Sequence, residues 1–134
     1  MATLDSVRVR DYMTTKLVTF TPDMEVMAAV NLLVKHGIAG APVVDKAGNV
    51  VGMLSERDCL QVAFIASQES CVAGPVSQFM SNKVETVEPD MNLTQLASMF
   101  THKPWRRYPV LEHGKLVGQI SRSDVMRAIN SLCG

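Results

Sequence analysis

Two short stretches of the chain hold the residue types from which a grip on a sugar phosphate could be built. "GMLSERD" (Gly52 to Asp58) and "GQISRSD" (Gly118 to Asp124) each place a serine three residues after a glycine and three before an aspartate. An ionised Asp one turn into a helix presents two acceptor oxygens, which suit the protons of vicinal hydroxyls. A serine at a helix start stands beside backbone N–H groups that lack helical partners, a setting that attracts phosphate. Glycine shortly before the junction lets backbone approach closely. A plainer reading stands beside this one. Ser-x-x-Asp at a helix start is close to a capping box, in which the serine and an acid cap each other's backbone N–H groups. That box prefers Glu or Gln at its third position, and here the acid is Asp both times. Both readings stand at this point, and the same side chains could serve as caps when the site is empty.

The elements that would position these residues also come in pairs. When the chain is slid along itself so that Val9 meets Val76, Met13 meets Met80, Lys16 meets Lys83 and Thr19 meets Thr86. Pro22, Asp23 and Met24 then fall on Pro89, Asp90 and Met91, and "PVVD" falls on "PVLE". After one deletion in a turn, Gly48, Val51, Gly52, Ser55 and Asp58 meet Gly114, Val117, Gly118, Ser121 and Asp124. Such an ordered series marks a tandem duplication.

Each copy opens with a short helical turn, Val7 to Met13 or Val76 to Met80, followed by an extended stretch such as "LVTF". An amphipathic helix is expected from Met24 to His36, with Pro22 and Asp23 as start signals and Gly37 as the stop. Val26, Val30, Leu33 and Val34 recur there at helical spacing. Its counterpart runs from Leu93 to Thr101, using Leu96, Met99 and Phe100, and ends ahead of Pro104. Two strands around a glycine-containing turn come next: "APVVDKAGNVVGMLS" in one copy, "YPVLEHGKLVGQIS" in the other. Helices at Glu56 to Ala66 and Arg122 to Leu132 close the copies. Residues 7–66 and 76–132 are thus the two repeats, and 67–75, with Gly74 and Pro75, is the linker. A copy of roughly 60 residues has only a marginal core by itself, so the two are expected to cover each other and form clefts.

Beyond the paired junctions, the chemistry-bearing residues are few. "WRRYP" sets Arg106 and Arg107 shortly before Pro109, and an Arg fork suits phosphate in a partly dry cleft; a solvated pair on a sheet edge is the other reading. The first copy has Ala39 and Gly40 there, so the two halves are chemically unequal. Trp105 is placed either to stack on a base or guanidinium or simply to pack. His36, His102 and His113 lack metal-ligand spacing. Glu25, Glu56, Glu69, Glu85 and Glu88 are dispersed and read as surface. No phosphate-binding loop, dinucleotide fingerprint or nucleophile elbow is present, and no catalytic group is expected. The 134 residues carry 13 basic and 13 acidic side chains, so no net field draws the chain to nucleic acid or to an anionic membrane. No apolar run is long enough to span a bilayer. Cys59, Cys71 and Cys133 are expected as reduced thiols of a cytoplasmic protein.

"HGIAGAPVVDKAGNVVGMLSERDCL" and "RRYPVLEHGKLVGQISRSDVMRAI" resemble the two halves of a cystathionine-β-synthase-type (CBS) domain pair, or Bateman module. The resemblance spans about Val7 to Ile129. It implies an α/β (α+β) fold of two β-α-β-β-α repeats packed face to face with pseudo-twofold symmetry. It also implies a regulatory module, not an enzyme, that binds AMP, ADP, ATP or S-adenosylmethionine in the cleft and signals to a regulated partner, with a homodimer expected. The alternative is a ligand-independent dimerisation or interaction scaffold. By family position Asp58 and Asp124 would hold ribose, and Ser55, Ser121, Arg106 and Arg107 would meet phosphate. The adenine positions would be Lys16, Val18, Thr19, Ala41, Val84, Thr86 and Tyr108. No metal or other cofactor is implied, and neither a membrane nor nucleic acid is an expected partner.

Overall fold

A computed structural model describes residues 3–68 and 74–134, with the side chains of all but 66–68. Cys71, Glu69 and most of the expected linker lie outside the described residues. The elements in chain order are α1 (Val9–Tyr12), α2 (Val26–His36), β1 (Gly40–Val44), β2 (Val50–Ser55), α3 (Glu56–Cys59), α4 (Gln61–Gln68), α5 (Leu93–His102), β3 (Arg107–Glu112), β4 (Lys115–Ser121) and α6 (Arg122–Cys133). Single 3-10 turns form at Leu4–Ser6 and Val76–Gln78. Among the described residues no helix is long and apolar enough to cross a membrane.

The chain divides into two compact units, one of residues 18–84 and one of residues 1–17 with 85–134. Each has its own apolar core. In the first, Phe20, Val26, Ala29, Leu33, Val43, Leu54, Val76 and Phe79 pack together. In the second, Val9, Leu93, Leu96, Phe100, Tyr108, Val110 and Ile120 do the same. At about 25 cal/mol per Å² of apolar surface removed from water, such clusters are the main stabilising term of each unit.

The hairpins form as the sequence predicts. β1 and β2 pair antiparallel, as do β3 and β4, and a register shift falls at corresponding places, Val43/Val44 and Val110/Leu111. The tighter turn puts His113 and Gly114 both at positive φ, 53° and 78°, as a two-residue hairpin turn matched to strand twist requires. In the longer turn Asp45 Oδ1 accepts the N–H groups of Ala47 and Asn49, each at 2.9 Å. The Asn49 bond, ahead of the others, holds the Asp45 carboxyl below its ordinary value. α2 stops at Gly37 in the left-handed region, φ 61°, where glycine bears no steric penalty. α5 stops at Lys103, held extended ahead of Pro104.

Two expectations are modified. The leading strand of each copy shrinks to one residue: Phe20 bridges Val43 and Val87 bridges Val110, both in parallel sense. The expected helix from Glu56 to Ala66 is divided at Leu60 into α3 and α4.

Each unit also takes its opening turn from the other copy. Val76–Gln78 begins the second copy in sequence, yet Val76 donates to the Met24 carbonyl, and Ser81 exchanges two bonds with Met53 at the free edge of β2. Thr14 bonds Gln119 on β4 in the same two-way fashion. A Cβ on Gly52 would stand 2.5 Å from Met80 Sδ and 2.9 Å from the Ser81 carbonyl oxygen. A Cβ on Gly118 would stand 2.7 Å from Met13 Sδ and 3.0 Å from the Thr14 oxygen. The repeated glycine therefore makes room for the repeated methionine and its strand, where the sequence suggested close approach at the helix junction.

Candidate functional site

The Ser-x-x-Asp pairs sit where a hairpin strand runs directly into a helix. Ser55 keeps extended angles (φ −112°, ψ 167°), so the chain turns into α3 without a loop and Asp58 falls in the first turn. Ser55 Oγ accepts the Asp58 N–H at 3.2 Å. Asp58 Oδ2 accepts from the Ser55 N–H at 2.8 Å and from its hydroxyl at 3.0 Å. The second junction repeats this: the Asp124 N–H reaches Ser121 Oγ at 3.3 Å, and Asp124 Oδ2 takes the Ser121 N–H at 2.8 Å and hydroxyl at 3.0 Å. Both junctions are complete capping boxes. One oxygen of each carboxylate and the serine hydroxyl are used in holding the helix start, so the plainer reading is realised in full.

The other oxygen separates the two. Asp58 is half-buried, and its Oδ1 has no partner among the described residues. Asp124 is 8% exposed, and its Oδ1 accepts from Arg127 Nη2 at 2.8 Å. The same Nη2 reaches the Tyr12 carbonyl at 3.3 Å, and the guanidinium lies 5.5 Å from the Tyr12 ring centre. Cys59, next to Asp58, is a thiol pushed up in pKa, first by burial and then by the charges of Asp58 and Glu56.

The arginines stand at the start of α6. Arg107 is register partner to Ser121, as Gly40 is to Ser55, and the Arg106 carbonyl accepts the Arg122 N–H at 3.1 Å, as Ala39 accepts from Glu56 at 2.9 Å. Arg106 is exposed and Arg107 half-buried. The structure thus brings Arg106, Arg107, Ser121 and Asp124 to one end of one unit, and Ser55 and Asp58 to the matching end of the other.

The expected adenine positions scatter more widely. Val18 and Thr19 lead into Phe20, whose N–H meets the Pro42 carbonyl, which sets them beside Ala41 on β1. Thr86 leads into Val87, whose N–H meets Pro109, beside Tyr108 on β3. Lys16 is exposed, two residues past the Thr14 bridge, and Val84 is half-buried at the end of the other unit. Ala41 and Tyr108 are themselves buried in the cores. The Tyr108 ring packs 4.9 Å from that of Phe100, and its hydroxyl is buried with no partner among the described residues. Burial, then the charge of Glu85, pushes its pKa up, while Arg122 opposes.

Sequence reasoning missed a polar cluster around Trp105. Its Nε1–H donates to Glu85 Oε1 at 2.9 Å, and Lys103 Nζ approaches the same oxygen at 3.3 Å. The Trp105 bond, ahead of Lys103, holds the Glu85 carboxyl below its usual range. By sequence Glu85 is one of several dispersed surface acids, and no spacing signal links it to Trp105. The Asp124–Arg127 pair does have a sequence signal, the i, i+3 spacing of opposite charges on one helix, whereas the contacts of Arg127 with Tyr12 do not. Among the described residues no group of three or more His, Cys, Asp or Glu is placed to hold a metal ion.

Comparison with known proteins fits this architecture. The CBS domain model matches residues 9–64 and again 76–131. The chain is 29% identical over 124 residues to the CBS domain-containing protein YhcV of Bacillus subtilis, covering 92% of this chain and 85% of that one. It is 28% identical over 123 residues to an A-adding tRNA nucleotidyltransferase of Aquifex aeolicus, covering 92% of this chain but only 14% of that enzyme. CBSX2 of Arabidopsis thaliana, solved in complex with AMP, superposes with a TM-score of 0.82 at 29% identity, covering 95% of this chain and 98% of the other. The chain therefore belongs to the CBS domain family, of which it carries two copies in tandem.

Proposed function

We propose that the protein is a regulatory module that takes an adenosine-containing ligand, an adenine nucleotide such as AMP, ADP or ATP, and passes its occupancy to a partner protein. The carrying observation is Asp58. Its carboxylate is fixed through one oxygen by the helix cap, and the other oxygen has no partner among the described residues. A carboxylate held in this way is a ready acceptor for neighbouring sugar hydroxyls and needs no further ordering to receive them. Phosphate would meet Arg106 and Arg107 beside the start of α6, where an Arg fork suits it. The base would lie against Val18, Thr19 and Ala41 or their counterparts Thr86 and Tyr108, with Lys16 and Val84 nearby in sequence. Similarity to CBSX2, a protein solved with AMP, supports the adenosine class. A ligand of this kind acts as a switch by preferring one arrangement of the protein, or of its homodimer, over another.

Calorimetric titration of the ligand-stripped protein with AMP, ADP and ATP tests the reading. Saturable binding of at least one is expected, weakened about tenfold or more by Asp58→Ala combined with Asp124→Ala, as loss of hydrogen bonds to charged acceptors implies. No binding at millimolar ligand, or unchanged affinity in the double variant, overturns it. The alternative, an interaction scaffold, is favoured by exposed apolar side chains on α2 and between α3 and α4: Val34 is 77% and Leu60 66% exposed. That reading gains if the titration shows no binding.

A further inference from the structure

We propose that the two junctions are unequal because Arg127 occupies the Asp124 carboxylate, which leaves Asp58, of the two junction carboxylates, as the one with an oxygen open among the described residues. This rests on the adenosine-binding reading above and adds which copy grips and which is latched. A carboxylate has about four lone-pair positions, two on each oxygen. In both copies Oδ2 already accepts two hydrogen bonds from its serine, so only Oδ1 is left for a ligand. A vicinal diol donates two. Asp58 Oδ1 has both positions open. Asp124 Oδ1 has one taken by Arg127 at 2.8 Å, which leaves a single place for two donors.

The latch is specific to the second copy. The residue matched to Arg127 in the first is Gln61, which carries no charge. The residue matched to Tyr12 is Phe79. Arg127 is held at three points: the carboxylate, the Tyr12 carbonyl and the face of the Tyr12 ring. Its side chain is 61% exposed, so solvent screens the pair and the latch is modest. The second junction has Arg106 exposed beside it for an anion and lacks a free acceptor pair for the diol. For a ligand there, Arg127 is a specificity-determining residue.

The test is calorimetric titration of the full chain with AMP. Asp58→Ala is expected to weaken AMP binding by a clearly larger factor than Asp124→Ala does. Arg127→Gln, which installs the first copy's residue, is expected to tighten a second AMP site by about 1.5- to fivefold, the range a solvent-screened ion pair spans. Gln61→Arg is expected to weaken the first site by a similar factor, and it carries the test by itself should Arg127→Gln fail to fold. Equal losses from Asp58→Ala and Asp124→Ala, or an Arg127→Gln protein with wild-type affinity and stoichiometry, overturn the latch while leaving the nucleotide reading intact. Absence of AMP binding in the wild type and every variant overturns both.

Discussion

At the scale of single residues, few buried polar atoms go unpaired among the described residues; the Tyr108 hydroxyl and Gln119 Oε1 are two that do. The position matched to Tyr108 is Ala41, so the second unit places a whole phenol where the first has a methyl group. The ring is accommodated beside Phe100, but the hydroxyl finds no partner among the described residues. A buried hydroxyl without a partner costs about 1–3 kcal/mol relative to one in water. Tyr108→Phe keeps the ring and removes that cost. It is expected to raise the stability of the ligand-free protein by about 1 kcal/mol, read from the urea midpoint at constant slope. A lower midpoint would mean that the hydroxyl is bonded in solution. The tyrosine was readable in sequence as a residue near the hairpin; its orphaned hydroxyl was not, because only the packed core fixes what surrounds it. Trp105 shows the same limit. A stacking or packing role was open from its neighbours in sequence, whereas its bond to Glu85 depends on two segments meeting in space.

Among the elements, those with a local cause were legible. α2 was bounded by Gly37, α5 by Pro104, and the hairpins by their turn residues, since each signal acts within a few residues of itself. The leading strands were less so: one parallel bridge needs a partner segment that periodicity does not name. The glycine–methionine pairs are the clearest instance. Both residues repeat in register, and both were visible as marks of the duplication, but Gly52 belongs to one copy and Met80 to the next. Their contact explains why β2 and β4 require glycine: a thioether can swing aside, but the strand carbonyl behind it cannot. Gly52→Ala is expected to destabilise the protein by about 1–3 kcal/mol in chemical denaturation, as overpacking typically does. Met80→Ala in the same chain should recover only part, because the Ser81 oxygen still stands 2.9 Å from the new methyl group. A neutral Gly52→Ala would show that the edge strand yields freely.

At the scale of the whole molecule, the duplicated sequence and the packed units are bounded differently. The unit of residues 18–84 is continuous in the chain, and it contains Val76, Phe79 and Met80, which by sequence open the second copy. A fragment spanning residues 18–84 is therefore expected to show cooperative thermal unfolding by circular dichroism, where one spanning 7–66, cut along the repeat, does not. Both are near the size at which a core is marginal, so the missing Val76–Met80 segment decides the difference. Cooperative melting of the shorter repeat at the same temperature would refute this. The duplication, the order of helices and hairpins, the family resemblance and the paired Ser-x-x-Asp junctions were all legible along the chain, because each is written in neighbouring residues or in repetition. Folding was needed to show which opening turn packs against which hairpin, that Arg127 joins Asp124 to Tyr12, and that Asp58 keeps an oxygen open among the described residues. The reason is physical: hydrogen-bond saturation and close packing are properties of atoms brought together by folding, and identical motifs acquire different partners once their surroundings differ.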